Sequence, residues 1–212
     1  MSVVLSISVT FFAAGADAAK GPSDLGKAGS YEFTIQEGPA ASVAGKFHKD
    51  TPIWFKADGI EFFRKGEVLV YKDAGKWQKT RTGTLSDPLR ILGPSAKVRS
   101  ARVPHEELAT LEKVWIDVKK TDMKGKTVIS GVFKEKGAKA LARSEQRAVA
   151  QGGAGRVFLD EKGRLTGYEI TIRLQGRLGG ADVDGMATKT VTLSGIGMTT
   201  VDLPTEARKA LE

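Results

Sequence analysis

Residues Gly155 to Gly176 read GRVFLDEKGRLTGYEITIRLQG, and this stretch decides the fold. From Thr166 to Gln175 the side chains alternate: Tyr168, Ile170, Ile172 and Leu174 fall on one side, Glu169, Thr171, Arg173 and Gln175 on the other. Successive residues of a strand point to opposite faces, so this is a strand with one dry side and one wet side. Val157 to Leu159 is a second short strand, joined to the first through Asp160-Glu161-Lys162-Gly163. Gly163 is the residue able to take the positive φ that a tight hairpin requires. A hairpin with an apolar face needs a cover, which the rest of the chain must supply.

Downstream, Arg177 to Gly185 reads as a Gly-rich turn, Thr188 to Ser194 as a last long strand, and Val201-Asp202-Leu203-Pro204 as the entry to a helical tail. Upstream, Glu135 to Ala150 reads as the longest helix, with Ala138, Leu141, Ala142 and Val149 on one side, broken by Gly152-Gly153. Before it, Val114 to Lys119 and Thr127 to Lys134 are strands about a turn at Lys124-Gly125-Lys126. Two short helices precede these. One is capped by Asp87 with Pro88 in its first turn and ends at Gly93-Pro94. The other starts at Val103-Pro104, where Glu106 and Glu107 suit the helix dipole and Leu108 and Leu111 face inward.

The first third is a run of short strands: Tyr31 to Gln36, Lys46 to Lys49, Ile53 to Lys56, Ile60 to Lys65, Val68 to Lys72 and Lys76 to Thr80. Turn signals recur about every ten residues, the mark of an antiparallel meander. Phe47, Trp54, Phe55, Phe62, Phe63, Tyr71 and Trp77 lie inside it, and aromatics at that density fill a core or line a groove.

The chain has 212 residues, 41% hydrophobic and 27% charged, which suits one soluble domain burying roughly 70–75% of its unfolded surface. The exception is Ser2 to Ala14, an uncharged apolar run followed by Ala16-Asp17-Ala18, a small-x-small cleavage pattern. Residues 1–18 are therefore expected to be a secretory signal peptide, although no Lys or Arg precedes the run; an edge strand is the competing reading. Residues 19–29 then form a flexible lead-in and 30–212 a single domain. There is no cysteine, hence no disulfide framework, no thiolate metal site and no lipid-bearing cysteine anchor. The expected product is periplasmic or extracellular and not lipid-anchored.

The net charge is +8, and loss of Asp17 with the signal leaves +9. Lys56 to Arg102 carries eleven basic residues against the five acids Asp58, Glu61, Glu67, Asp73 and Asp87. Such a face can meet an anionic envelope surface, or simply stay solvated. Secretion makes nucleic acid the least expected of the anionic partners, and none is assigned.

Catalytic and cofactor patterns fail one by one. His48 and His105 lack the neighbours of a metal or triad site, and Pro104-His105-Glu106-Glu107 has no second His four residues on. Gly125-Lys126-Thr127 lacks the earlier glycine of a phosphate loop, position 120 being Lys. Gly152-Gly153-Ala154-Gly155 precedes a strand, the wrong order for dinucleotide binding. Asp182-Val183-Asp184-Gly185 is short of oxygens for calcium, and Ser194 has Thr192 where a nucleophile elbow needs glycine. No cofactor, metal or catalytic residue is assigned.

The hairpin RVFLDEKGRLTGYEITI, the final strand TKTVTLSGIG, the V-x-L-P close and the segment Asp87 to Leu92 after Lys76-Trp77 together resemble the LolA/LppX-like group of bacterial envelope proteins. The resemblance implies an antiparallel sheet curled into a half-barrel with helices on its concave side, and a role in carrying lipids or lipoproteins across the periplasm. It transfers no individual binding residue.

Independently of any family, about nine or ten strands and three short helices imply an α+β domain: one large curled antiparallel sheet whose concave face the helices cover. Helices that cover it incompletely leave an apolar cavity, in which each buried CH₂ of a lipid-like ligand is worth about 0.8 kcal/mol. Candidate walls are Trp54, Phe62, Tyr168, Ile170, Ile172 and Leu174, and candidate rim residues for an anionic head are Arg64, Lys65 and Arg90. Two functions remain open at this point: a non-enzymatic carrier or sensor of an apolar envelope ligand, and a structural or interaction module with the same sheet, a filled core and a basic face.

Overall fold

Two antiparallel meanders are joined along one seam. The computed structural model describes residues 22–38, 42–81, 98, 101–123 and 125–212. The expected signal peptide (1–18), the helix expected at Asp87-Pro88 and Arg90 lie outside these. The first meander is β1 (Ser30–Glu37), β2 (Val43–His48), β3 (Ile53–Ala57), β4 (Ile60–Lys65), β5 (Val68–Asp73) and β6 (Lys76–Arg81). Helix α1 (Pro104–Val114) leads to β7 (Ile116–Met123), β8 (Lys126–Lys134), α2 (Glu135–Leu141) and a 3₁₀ segment, Ser144–Val149. Then come β9 (Ala150–Leu159), β10 (Leu165–Leu178), β11 (Ala181–Ser194) and α3 (Thr205–Leu211).

The order is β6-β5-β4-β3-β2-β1-β11-β10-β9-β8-β7, every pairing is antiparallel, and β6 and β7 remain separate edges. The sheet is thus an open, curled half-barrel of the expected α+β class. Residues paired directly across an antiparallel sheet share a face. The register runs Ile129, Val157, Tyr168, Val191, Ile35, Val43, Ala57 and Ile60, an unbroken apolar row across eight strands. All of these belong to one cluster with Leu108 and Leu111 of α1 and Ala138 and Leu141 of α2. Burying one such side chain contributes about 1.5–3 kcal/mol, so this row ties both meanders to both helices.

Close approach needs residues without a Cβ. The Phe33 ring lies over Gly45, where a Cβ would sit 2.1 Å from Cζ. On β9, Gly155 lies under Leu111 and Trp115, and Gly153 under Phe133. The β9–β10 turn closes as its residues demand: Gly163 has φ 72°, and Asp160 Oδ1 accepts from the N–H groups of Lys162 and Arg164, each at 2.9 Å.

Several elements differ from their expected bounds. The helix expected over Glu135–Ala150 stops at Leu141; Ala142 and Arg143 are extended, and Arg102 donates to the carbonyls of Ala140 (2.6 Å) and Ala142 (3.4 Å), meeting the last acceptors of α2. Gly152-Gly153 does not break the chain but lies inside β9, because the packing of Phe133 selects glycine there. The Gly-rich segment Arg177–Gly185 is mostly strand, with only Gly179-Gly180 between β10 and β11. Residue Val114 ends α1, and β7 starts two residues later. Within the lead-in, Leu25 is fully buried in the main core. Finally, α3 packs on the opposite face, where Ala207 and Leu211 join Phe63 and Val70.

Candidate ligand-binding site

Helix α1 is held on the concave face by two polar anchors. Pro104, Leu108 and Leu111 face the sheet, and at helical spacing Glu107 must face it too, four residues before Leu111. Its side chain is 1% exposed and forms an ion pair with Lys189 of β11, while Tyr168 Oη of β10 donates to Glu107 Oε2 at 2.7 Å. Burial and the adjacent Glu107 charge push the Tyr168 phenol well above its ordinary pKa, so it stays a donor. The second anchor joins Tyr31 Oη of β1 to His105 Nδ1 at 2.7 Å. Burial pushes the Tyr31 phenol up and, against the opposing pull of Glu106, the His105 imidazole down. A neutral His105 accepting at Nδ1 from Tyr31 fits both directions.

Beside α1 the cover is incomplete. A cavity of about 390 Å³ lies between β1, β2, β10 and β11 and the end of α2, with Ile35, Val43, Leu141, Ile170 and Ile172 among its walls. Charged groups in its lining are the ion-paired Arg143 and Glu37 and the Lys189 that binds Glu107. This suits an apolar body with a polar end.

A second cavity of about 480 Å³ shares Ala101, Ala142 and Arg143 with the first. Its lining includes Arg64, Arg102, Arg143 and Arg147, with Glu106 as the acid. Arg64 Nη1 donates to Ala101 O (2.8 Å) and Val98 O (3.4 Å), and its guanidinium lies 4.8 Å from the Phe55 ring centroid. Desolvation lowers the Arg64 pKa, with Glu106 acting in the other direction.

The sequence candidates among the described residues are distributed over four environments. Ile170 and Ile172 line the first cavity and Arg64 the second. Tyr168, Leu174 and Phe62 are buried in the main core, Tyr168 against Glu107. Trp54 belongs to the cluster on the opposite face, and Lys65, one residue after Arg64, alternates to that side and is exposed. Those two therefore stand apart from the cavities, since adjacent strand residues point oppositely. Arg90 lies outside the described residues.

Sequence reasoning missed Glu107, Lys189, Arg102, Arg143 and Arg147. For Glu107 the signal was present in its spacing from Leu111. For Arg143 and Arg147 it was hidden by the unexpected end of α2, which turns both into one cavity. Among the described residues no group of three or more His, Asp or Glu is placed to hold a metal, and no helix is long and apolar enough to cross a membrane.

No protein-family model matches the sequence, and no curated protein sequence matches it. Among solved structures, the fold is similar to that of the lipoprotein LppX from Mycobacterium tuberculosis, with 15% identity, a TM-score of 0.48, and 84% of this chain and 92% of that one covered. It is also similar to LprF from Mycobacterium bovis, with 11% identity, a TM-score of 0.49, and 88% of this chain and 97% of that one covered. At these values the likeness is one of overall form and carries no functional weight.

Proposed function

We propose that this protein is a non-enzymatic binding protein of the cell envelope that holds an apolar, lipid-like ligand between the concave face and α2. The observation that carries the reading is the cavity of about 390 Å³ floored by Ile35, Val43, Ile170 and Ile172, in a fold whose other concave apolar side chains are packed. Transfer of acyl chain into it is favourable by about 0.8 kcal/mol per CH₂, which needs no dedicated polar residue and accounts for binding without a motif. The envelope location rests on the apolar run Ser2–Ala14 and its Ala16-Asp17-Ala18 close.

The test is native mass spectrometry of the purified protein, with titration of a dansyl-labelled fatty acid. A co-purifying lipid or saturable fluorescence enhancement is expected, and Ile172→Trp, which fills the cavity, should weaken binding about tenfold or more at a stability cost of about 1–3 kcal/mol. Undiminished binding by that variant would show that the ligand sits elsewhere.

A second reading, a structural or interaction module, is favoured by one observation: Arg143 and Lys189 at the first cavity already have the carboxylates Glu37 and Glu107 as partners. It predicts no bound ligand and no fluorescence enhancement with either the parent or the Ile172→Trp variant.

A further inference from the structure

The two cavities are adjoining, and their linings differ in kind. Ala142 and Arg143, the extended joint after α2, line both, with Ala101 opposite. The first is walled largely by aliphatic side chains, whereas the second gathers four arginines from three separate segments. Arg64 comes from β4, Arg102 from the residues before α1, and Arg143 and Arg147, four residues apart, from the extended joint after α2 and the 3₁₀ segment that follows it. Two of them are fixed by neutral acceptors: Arg64 by the carbonyls of Val98 and Ala101, Arg102 by those of Ala140 and Ala142. A carbonyl orients a guanidinium without cancelling its charge. Counting Glu106 in the lining and the Glu37 paired with Arg143, four positive charges face two negative ones, an excess of two.

From this juxtaposition we infer that the second cavity receives the phosphate-bearing head of an anionic amphiphile whose apolar chain occupies the first. The inference rests on the carrier reading above and narrows its ligand class. Guanidinium groups suit phosphate because their planar forks donate two parallel N–H bonds, and groups already oriented by the backbone lose little freedom on binding. The two-charge excess matches a phosphate monoester near neutral pH. Arg147 is exposed and has no ion pair or hydrogen bond among the described residues, so it can be changed without touching the packing.

Isothermal titration of the full chain with dodecyl phosphate, dodecanol and inorganic phosphate tests this. Dodecyl phosphate should bind at least about tenfold more tightly than dodecanol. Arg147→Gln should reduce that preference by about three- to fivefold, as expected of one exposed charge pair, and leave dodecanol unchanged. Added salt should act in the same direction. Equal affinity for the two amphiphiles, or an Arg147→Gln variant with its preference intact, would overturn the inference and leave the carrier reading standing. Inorganic phosphate binding as tightly as dodecyl phosphate would also overturn it, by showing a site for the free anion. Failure of both amphiphiles to bind would remove the carrier reading, and this inference with it.

Discussion

Phe62 and Phe63 are neighbours in β4 and equally buried, at 1% exposure each, yet they belong to different clusters. Around Phe63 the N-terminal meander is dry on both sides: the concave core takes Phe55, Phe62 and Leu69, while α3 covers Trp54, Phe63, Val70 and Trp77 on the other. In the C-terminal meander only one side is dry. There Tyr168, Ile170 and Ile172 face the core, and the reverse of the sheet carries the Thr171–Thr188 hydrogen bond at 3.1 Å and the Arg156–Glu169 pair at 3.5 Å. A strand covered on both faces has no reason to alternate, so the same sheet shows clear periodicity in one half and aromatic doublets in the other.

The largest expected effect comes from separating the two sides of β4. Phe62→Ala should cost about 3–5 kcal/mol in urea unfolding. Phe63→Ala should cost less, about 2–3 kcal/mol, because the small cluster under α3 can partly collapse; equal costs would show that the two faces are energetically one core. Next, Glu107→Ala should cost about 3 kcal/mol, leaving Lys189 unpaired in a mostly buried site, and Glu107→Leu with Lys189→Leu together should recover part of that loss. A double variant as unstable as the single one would mean that the charges are not what holds α1 to the C-terminal strands.

The smallest effect is a pH dependence at the other anchor. His105 has a lowered pKa in the folded chain, so as pH falls below its ordinary 6.5 the unfolded chain takes up the proton first. The stability that His105 contributes is therefore present above pH 6.5, is lost as pH falls toward its lowered folded value, and levels off below it. Urea midpoints measured from about pH 7.5 down to about pH 5 should decline in the parent and decline less in His105→Gln.

Where one face is wet, reading the chain worked. Tyr168, Ile170, Ile172 and Leu174 share the concave side, Gly163 takes its positive φ, and α1 starts at Pro104. Where both faces are dry it could not, since nothing in Trp54-Phe55 or Phe62-Phe63 tells which ring faces which way. Trp54 was grouped with the cavity walls, and Lys65 with the rim, for that reason. Gly152-Gly153 misled in another way: a glycine that interrupts a chain and one that admits an aromatic ring at close range look alike until the ring is placed.

Local chemistry was enough to dictate an antiparallel sheet with a greasy inner surface, because period-two alternation and turn residues act between near neighbours. The seam between β1 and β11, the side on which each helix lies, and the meeting of Arg64, Arg102, Arg143 and Arg147 depend on contacts between residues far apart in the chain. Those were settled by how the meanders close on each other and by where α2 stops, and no local preference encodes either.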